Sequence, residues 1–193
     1  MSALRKEAKE FWTLEEYLAY DASQARRYAY RYGEIIAMAG ASDEHNTINH
    51  NVNGIFYVQL RARPCRVYAN DMRVRVSDDE YVYPDIAVVC GKPDIRDMKG
   101  DTLFNPTLIV EVLSKSTRKY DLEGKFESYR TIDTLQEYVL IHQDKVRVHR
   151  YTRQSDHTWL ITDFGKRDDR IELSSIACAL LLEDVYEKVM LPD

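Results

Sequence analysis

The chain is poor in the residues that would take it out of the ordinary globular class. Only 7 glycines and 5 prolines occur in 193 residues, which excludes collagen-like and low-complexity architectures. No apolar run approaches the ~18 residues of a membrane-spanning helix. Residues 1–10 mix Arg5, Lys6 and Lys9 with Glu7 and Glu10 and lack the apolar stretch of a secretory leader. Neither membrane association nor export is therefore expected. The three cysteines, Cys65, Cys90 and Cys178, are an odd set without a CxxC pair. Neither a disulfide framework nor a zinc knuckle is expected from them, and a reducing cytoplasm fits.

Several catalytic signatures are also missing. His45 and His50 stand five apart, so the i, i+4 histidine pair of a zinc-protease helix is absent. There is no glycine-rich phosphate loop, no GxSxG elbow and no local Cys/His signature. Zinc hydrolase, NTPase and acyl-transfer chemistry therefore have no support, and no nucleotide cofactor is expected.

What is present suits one packed domain over residues 1–193: hydrophobic residues make up 45% of the chain and charged residues 31%. The net charge of −5 argues against non-specific coating of nucleic acid. Two local basic strips run against that balance. Arg61, Arg63, Arg66, Arg73 and Arg75 face only Asp71 in their segment, and Lys145, Arg147, Arg150 and Arg153 have no acid between them. Each strip reads either as a solvated strand face or as a phosphate-contacting surface.

Thr13 with Glu16 forms a capping-box pattern at the start of TLEEYLAY, which predicts a short helix. Residues 28–38 predict a hairpin turning at Tyr32-Gly33. Ser42 caps a predicted helix running to about Arg61, with Ile48, Val52, Ile55, Phe56 and Leu60 on its apolar face. Strands are expected at 66–68 and 72–76, the second alternating Met72, Val74 and Val76 against Arg73 and Arg75. Residues 83–90 and 107–113 are nearly continuous apolar runs, as in interior strands covered on both faces. A helix at 117–130, strands at 137–142, 145–151, 157–163 and 171–173, and a helix at 183–188 complete a mixed α/β order.

Two carboxylates do not suit this pattern. Glu111 has only apolar neighbours within LIVEVL, and Asp85 stands at the entry of another interior strand after Pro84. An isolated charge in such a place is expensive. Each acid either pairs with an interior arginine or caps a turn, or both converge on one hard divalent cation, for which magnesium or manganese suits oxygen ligands. Asp121, Lys125 and Tyr129 follow at i, i+4 and i+8 on one helix face. That register places Lys125 either in the Glu111 site or in a surface pair with Asp121. Asp43, Glu44 and His45 open a helix, where the dipole favours the acids and His45 is either a base or a packed imidazole.

The ordered set Pro84-Asp85, EVLSKST from Glu111, then Asp121, Lys125 and Tyr129 resembles the Uma-two family of restriction-endonuclease-like proteins, within the PD-(D/E)XK nuclease superfamily. The resemblance spans nearly the whole chain, including GEIIAMAGASDEHNTI, YPDIAVVCG and EYVLIHQDKVRVHRY. It implies a restriction endonuclease-like α/β fold with a mixed central β-sheet flanked by helices. It implies a magnesium or manganese ion held by Asp85 and Glu111, with the Val112 carbonyl as third ligand, and Lys125 acting on the attacking water. The superfamily's usual lysine, two residues after the second acid, falls on Leu113 here, and Lys125 is the position that takes its place. Glu34, Glu44, His45, Asp71 and Asp121 are secondary candidates. Arg73, Arg75, Lys115, Arg118 and Lys119 are candidate phosphate contacts. The implied function is metal-dependent DNA cleavage, with a homodimer as an admissible assembly because cutting both strands needs two sites. The alternative is a nuclease fold that binds nucleic acid or a partner without cutting.

Overall fold

The computed structural model describes residues 11–38, 40–113 and 118–191, with the side chains of 118–123 outside the description. Helix α1 (Leu14–Ser23) opens on the expected capping box: Thr13 N donates to Glu16 Oε2 at 2.9 Å, and Glu16 N donates to Thr13 Oγ1 at 3.3 Å. Strands β1 (Tyr28–Arg31) and β2 (Glu34–Ala37) form the expected hairpin. Its two turn residues, Tyr32 at φ 45° and Gly33 at φ 92°, are both left-handed. This is the pattern a two-residue hairpin turn requires. Helix α2 (Asp43–Leu60) follows, with Ser42 Oγ accepting from His45 N at 3.2 Å.

Next come β3 (Cys65–Ala69), β4 (Arg73–Ser77), β5 (Glu80–Val82), β6 (Ile86–Cys90), β7 (Ile95–Asp97), β8 (Asp101–Leu103) and β9 (Leu108–Leu113). Helix α3 (Arg118–Tyr129) leads into β10 (Glu137–His142), β11 (Val148–Arg153), β12 (Trp159–Phe164), β13 (Arg170–Leu173), β14 (Cys178–Leu181) and α4 (Leu182–Val185). The strands form two six-stranded mixed sheets, ordered β2-β1-β5-β4-β8-β7 and β12-β11-β10-β9-β6-β3, and a β13-β14 ribbon. The α/β class stands, but two sheets occupy the place of the one central sheet expected.

The reason lies at Tyr83-Pro84-Asp85. The run read as one strand over 83–90 is broken there, since a proline has no N–H to give a ladder. β5 ends at Val82 and pairs in one sheet, residues 83–85 lie in no strand, and β6 starts at Ile86 and pairs in the other. β6 and β9 are buried on both faces, as expected. On one face α2, α4 and the β13-β14 ribbon contribute Ile48, Val52, Phe56, Leu180 and Val185 to the core. On the other, Val74, Val76 and Leu103 of the first sheet meet Ile109, Leu140 and Tyr129. β5, β7, β8 and β14 were not anticipated, because strands of three or four residues carry too little alternation to stand out.

Two expectations are corrected. Antiparallel pairing of β3 with β6 sets Cys65 directly opposite Cys90, and the two are joined in a disulfide. The cysteine argument for a reducing compartment therefore falls. Arg73, expected to face outward, is 1% exposed and enclosed between the first sheet and α1. No helix among the described residues is long and apolar enough to cross a membrane.

Candidate metal centre and its surroundings

The break at Pro84 is also what creates the site. β6 runs antiparallel to β9 with Ile86 opposite Val110, so Asp85, one residue before β6, lies beside the Glu111 end of the pairing. Asp85 Oδ2 accepts from Val112 N at 2.7 Å, in effect extending the ladder through a side chain. His45 comes from the first turn of α2, three residues after its cap, and its Nε2 is 3.2 Å from the same Oδ2. Burial opposes charge on both groups. The hydrogen bond and attraction between them prevail, so His45 is raised above the usual imidazole range and Asp85 is held below the usual carboxylate range.

Glu111 is 3% exposed. Tyr129 Oη donates to its Oε1 at 2.6 Å, and Lys125 Nζ stands 3.1 Å from its Oε2. The i, i+4 spacing of Lys125 and Tyr129 on α3 brings both to one carboxylate. Burial first, and then the Glu111 charge, push the Tyr129 phenol well above its ordinary range, so it remains a proton donor.

His45, Asp85, Glu111, Val112 and Lys125 line a cavity of about 450 Å³ that also includes Arg26, Arg27, Asn70, Asp71 and Tyr83. A neighbouring cleft of about 1000 Å³ shares Arg27, Asn70, Asp71 and Tyr83, so the two form one groove. The metal-ligand candidates fit a hard cation. Two carboxylates and a main-chain carbonyl at Val112 are oxygen donors, and magnesium commonly takes one or two carboxylates and completes its shell with water and phosphate oxygens. Among the described residues no group of three His, Cys, Asp or Glu side chains is placed to hold a metal, so such a shell would depend on those further oxygens.

The structure therefore brings together Asp85, Glu111, Val112, Lys125 and His45, and sets Asp71 on the rim 3.6 Å from Arg27. Glu34 is exposed at the hairpin turn opposite Arg31, and Glu44 does not line the cavity. Lys115 and the side chains of Arg118, Lys119 and Asp121 lie outside the described residues. Arg73 leaves the set of phosphate contacts: it is buried against Asp21. Arg75 reaches Asp78 at 2.5 Å on the surface.

The arginines of the strip from Lys145 to Arg153 are engaged, largely near the surface, by other groups of the chain. Arg147 binds Asp163, Arg150 binds the Glu172 carbonyl, and Arg153 binds the carbonyls of Arg130 and Ile132. Sequence reasoning missed Arg26 and Arg27 at the rim. Their only sequence signal is an adjacent basic pair just before a predicted strand.

The arrangement is a two-carboxylate, one-lysine site at a strand junction of a nuclease-type α/β fold. The crystal structure of a protein from Anabaena variabilis, described as a putative nuclease belonging to DUF820, has the same fold: the TM-score is 0.77 at 20% identity, covering 93% of this chain and 99% of that one. Residues 14–181 match the Uma2 family, described as "Putative restriction endonuclease", and the chain belongs to that family. Two uncharacterised proteins of Synechocystis sp. (strain ATCC 27184 / PCC 6803 / Kazusa) are similar to it. One is 37% identical over 163 residues, covering 84% of this chain and 92% of the relative. The other is 34% identical over 174 residues, covering 89% and 90%.

Proposed function

We propose that the chain is a divalent-metal-dependent endonuclease that hydrolyses DNA phosphodiester bonds, with Asp85, Glu111 and Lys125 as its catalytic residues. The observation that carries this reading is the meeting of Asp85 and Glu111 at the β6–β9 junction, inside a groove, with Lys125 3.1 Å from Glu111. Magnesium or manganese bound through Asp85, Glu111 and the Val112 carbonyl would supply a water of lowered pKa and neutralise charge on the scissile phosphate. His45 and the Val112 amide hold Asp85 ionised and fixed in direction. Tyr129 orients Glu111 from the far side. The Lys125 ammonium faces the groove and stabilises negative charge that grows on the phosphate. Arg26 and Arg27 at the rim, with Arg75, Lys115, Arg118 and Lys119, contact backbone phosphates and position the strand without reading its sequence.

The test is incubation with supercoiled plasmid across magnesium and manganese concentrations. Wild type is expected to nick, and Asp85→Ala and Glu111→Ala are expected to lose nicking while keeping their circular dichroism. Cleavage unchanged in either variant refutes the site. One observation favours a second reading, in which the fold binds nucleic acid without cutting: both Glu111 oxygens already have partners in Tyr129 and Lys125. Salt-sensitive, magnesium-independent DNA binding by a wild type that does not nick would establish that reading instead.

A further inference from the structure

At the end of β10, on a different strand pair from Asp85, two imidazoles face each other. His142 closes β10 and His149 lies on β11 beyond the connecting turn, with their Nε2 atoms 3.2 Å apart. Each ring turns its other nitrogen toward a carboxylate. His149 Nδ1 is 3.4 Å from Asp163 Oδ1, and His142 Nδ1 is 3.8 Å from Asp144 Oδ1. Asp163 is opposite His149 in the β11–β12 register and is clamped by the Arg147 guanidinium, with Nη2 at 2.5 Å from Oδ2 and Nε at 3.1 Å from Oδ1. The His142 side chain is 4% exposed and that of His149 17%, so the pair opens to solvent on the His149 side.

We propose that His142 and His149 form a transition-metal site, of the class that takes Zn²⁺, with both Nε2 atoms as ligands and Asp163 and Asp144 as outer carboxylates. Three observations support it. Two nitrogens bound at about 2.0–2.1 Å to one tetrahedral ion stand about 3.3 Å apart, which matches the observed 3.2 Å. A metal-bound histidine commonly gives its other N–H to a carboxylate, which sets its tautomer; both rings here have one on that side.

The third observation concerns the alternative, a plain N–H···N hydrogen bond between the rings. In that case one neutral ring carries its proton on Nε2 and presents a bare Nδ1 to a carboxylate, or else a ring must be charged. A cation between the two Nε2 atoms lets both Nδ1–H groups face their acids. Imidazole donors select a borderline ion over magnesium, so this site and the oxygen site at Asp85 and Glu111 would take different metals. The remaining positions of the ion would be filled by solvent from the His149 side.

Cobalt(II) is the probe, because tetrahedral nitrogen coordination gives it visible absorption. The full chain and the Asp85→Ala/Glu111→Ala variant are titrated with Co²⁺ and then with Zn²⁺. Both are expected to develop the absorption with about one equivalent and to lose it on zinc addition. His149→Ala is expected to lose the absorption and at least tenfold in affinity. Asp163→Asn is expected to retain the absorption with affinity weakened by ~10–100-fold. His149→Gln, with circular dichroism, separates loss of the ligand from loss of the fold. No visible absorption in the wild type overturns the proposal. So does unchanged Co²⁺ affinity in folded His149→Ala or His149→Gln, or absorption that vanishes in the Asp85→Ala/Glu111→Ala variant.

Discussion

Removing the carboxylate of Asp21 tests whether the buried Arg73 is a structural cation. Asp21, at the end of α1, is 1% exposed. It accepts from Tyr28 N at 2.9 Å, Tyr83 Oη at 2.5 Å and Arg73 Nη1 at 3.3 Å. Arg73 also donates to Thr102 Oγ1, the Met98 carbonyl and the Gly100 carbonyl, each at 2.8 Å. Its guanidinium lies 5.8 Å from the centre of the Tyr17 ring. Asp21→Ala leaves this guanidinium buried with no anion and deprives Tyr83 and Tyr28 of their acceptor. Breaking a buried ion pair from one side costs roughly 3–5 kcal/mol, and urea unfolding followed by circular dichroism should register a loss of that size.

Adding Arg73→Met to Asp21→Ala removes the stranded charge, so the double variant should be less destabilised than the sum of the two singles, with a coupling of at least ~1 kcal/mol. A loss below about 1 kcal/mol for Asp21→Ala, or strict additivity of the two changes, refutes the reasoning. The consequence reaches the proposed site, because Tyr83 stands two residues before Asp85. Were Arg73 a phosphate contact instead, Arg73→Met would lower DNA affinity and its salt slope and leave stability unchanged.

The hairpin turn offers a gain of stability. Tyr32 is 70% exposed and sits at φ 45°, so Tyr32→Asn should raise stability by about 0.5–1 kcal/mol by relieving left-handed strain, read as an increased urea midpoint. Gly33→Ala should do the opposite, since a Cβ there would stand 2.3 Å from the Phe11 ring at φ 92°. Burial raises the phenols of Tyr17, Tyr83 and Tyr186 above the ordinary value of 10.0. Their contribution is complete below pH 10 and is lost as pH rises through the folded values. Unfolding above pH 10 should therefore coincide with cooperative tyrosinate absorbance, and gradual ionisation of a still-folded chain would contradict the shifts. Lys125→Met should lower plasmid nicking by at least tenfold with magnesium binding preserved, which single-turnover rates and calorimetry together would show.

Much of this architecture was legible locally. The Thr13–Glu16 capping box, the Ser42 cap and the Tyr32-Gly33 turn are interactions between residues at most three apart, so the sequence displays both partners side by side. Glu111 and Asp85 stood out for a related reason: a carboxylate inside an apolar run demands compensation whatever surrounds it. Lys125 and Tyr129 were placed on one helix face by spacing, and the structure brings both to Glu111.

What needed the tertiary structure depended on which strands pair. The placing of β5 and β6 in different sheets, the alignment of Cys65 with Cys90 and the meeting of His142 with His149 follow from strand register, and register is decided by contacts far apart in the chain. Arg73 is the clearest case. By alternation it belonged on a solvated face, yet it points into the interior because Asp21, fifty-two residues earlier, supplies an anion there. The helices, the turns and the misplaced acids could be read along the chain, because their causes lie within a few residues. Only the packed chain decided which charges are partners, because in a low-dielectric interior a charge is settled by whatever distant group can neutralise it.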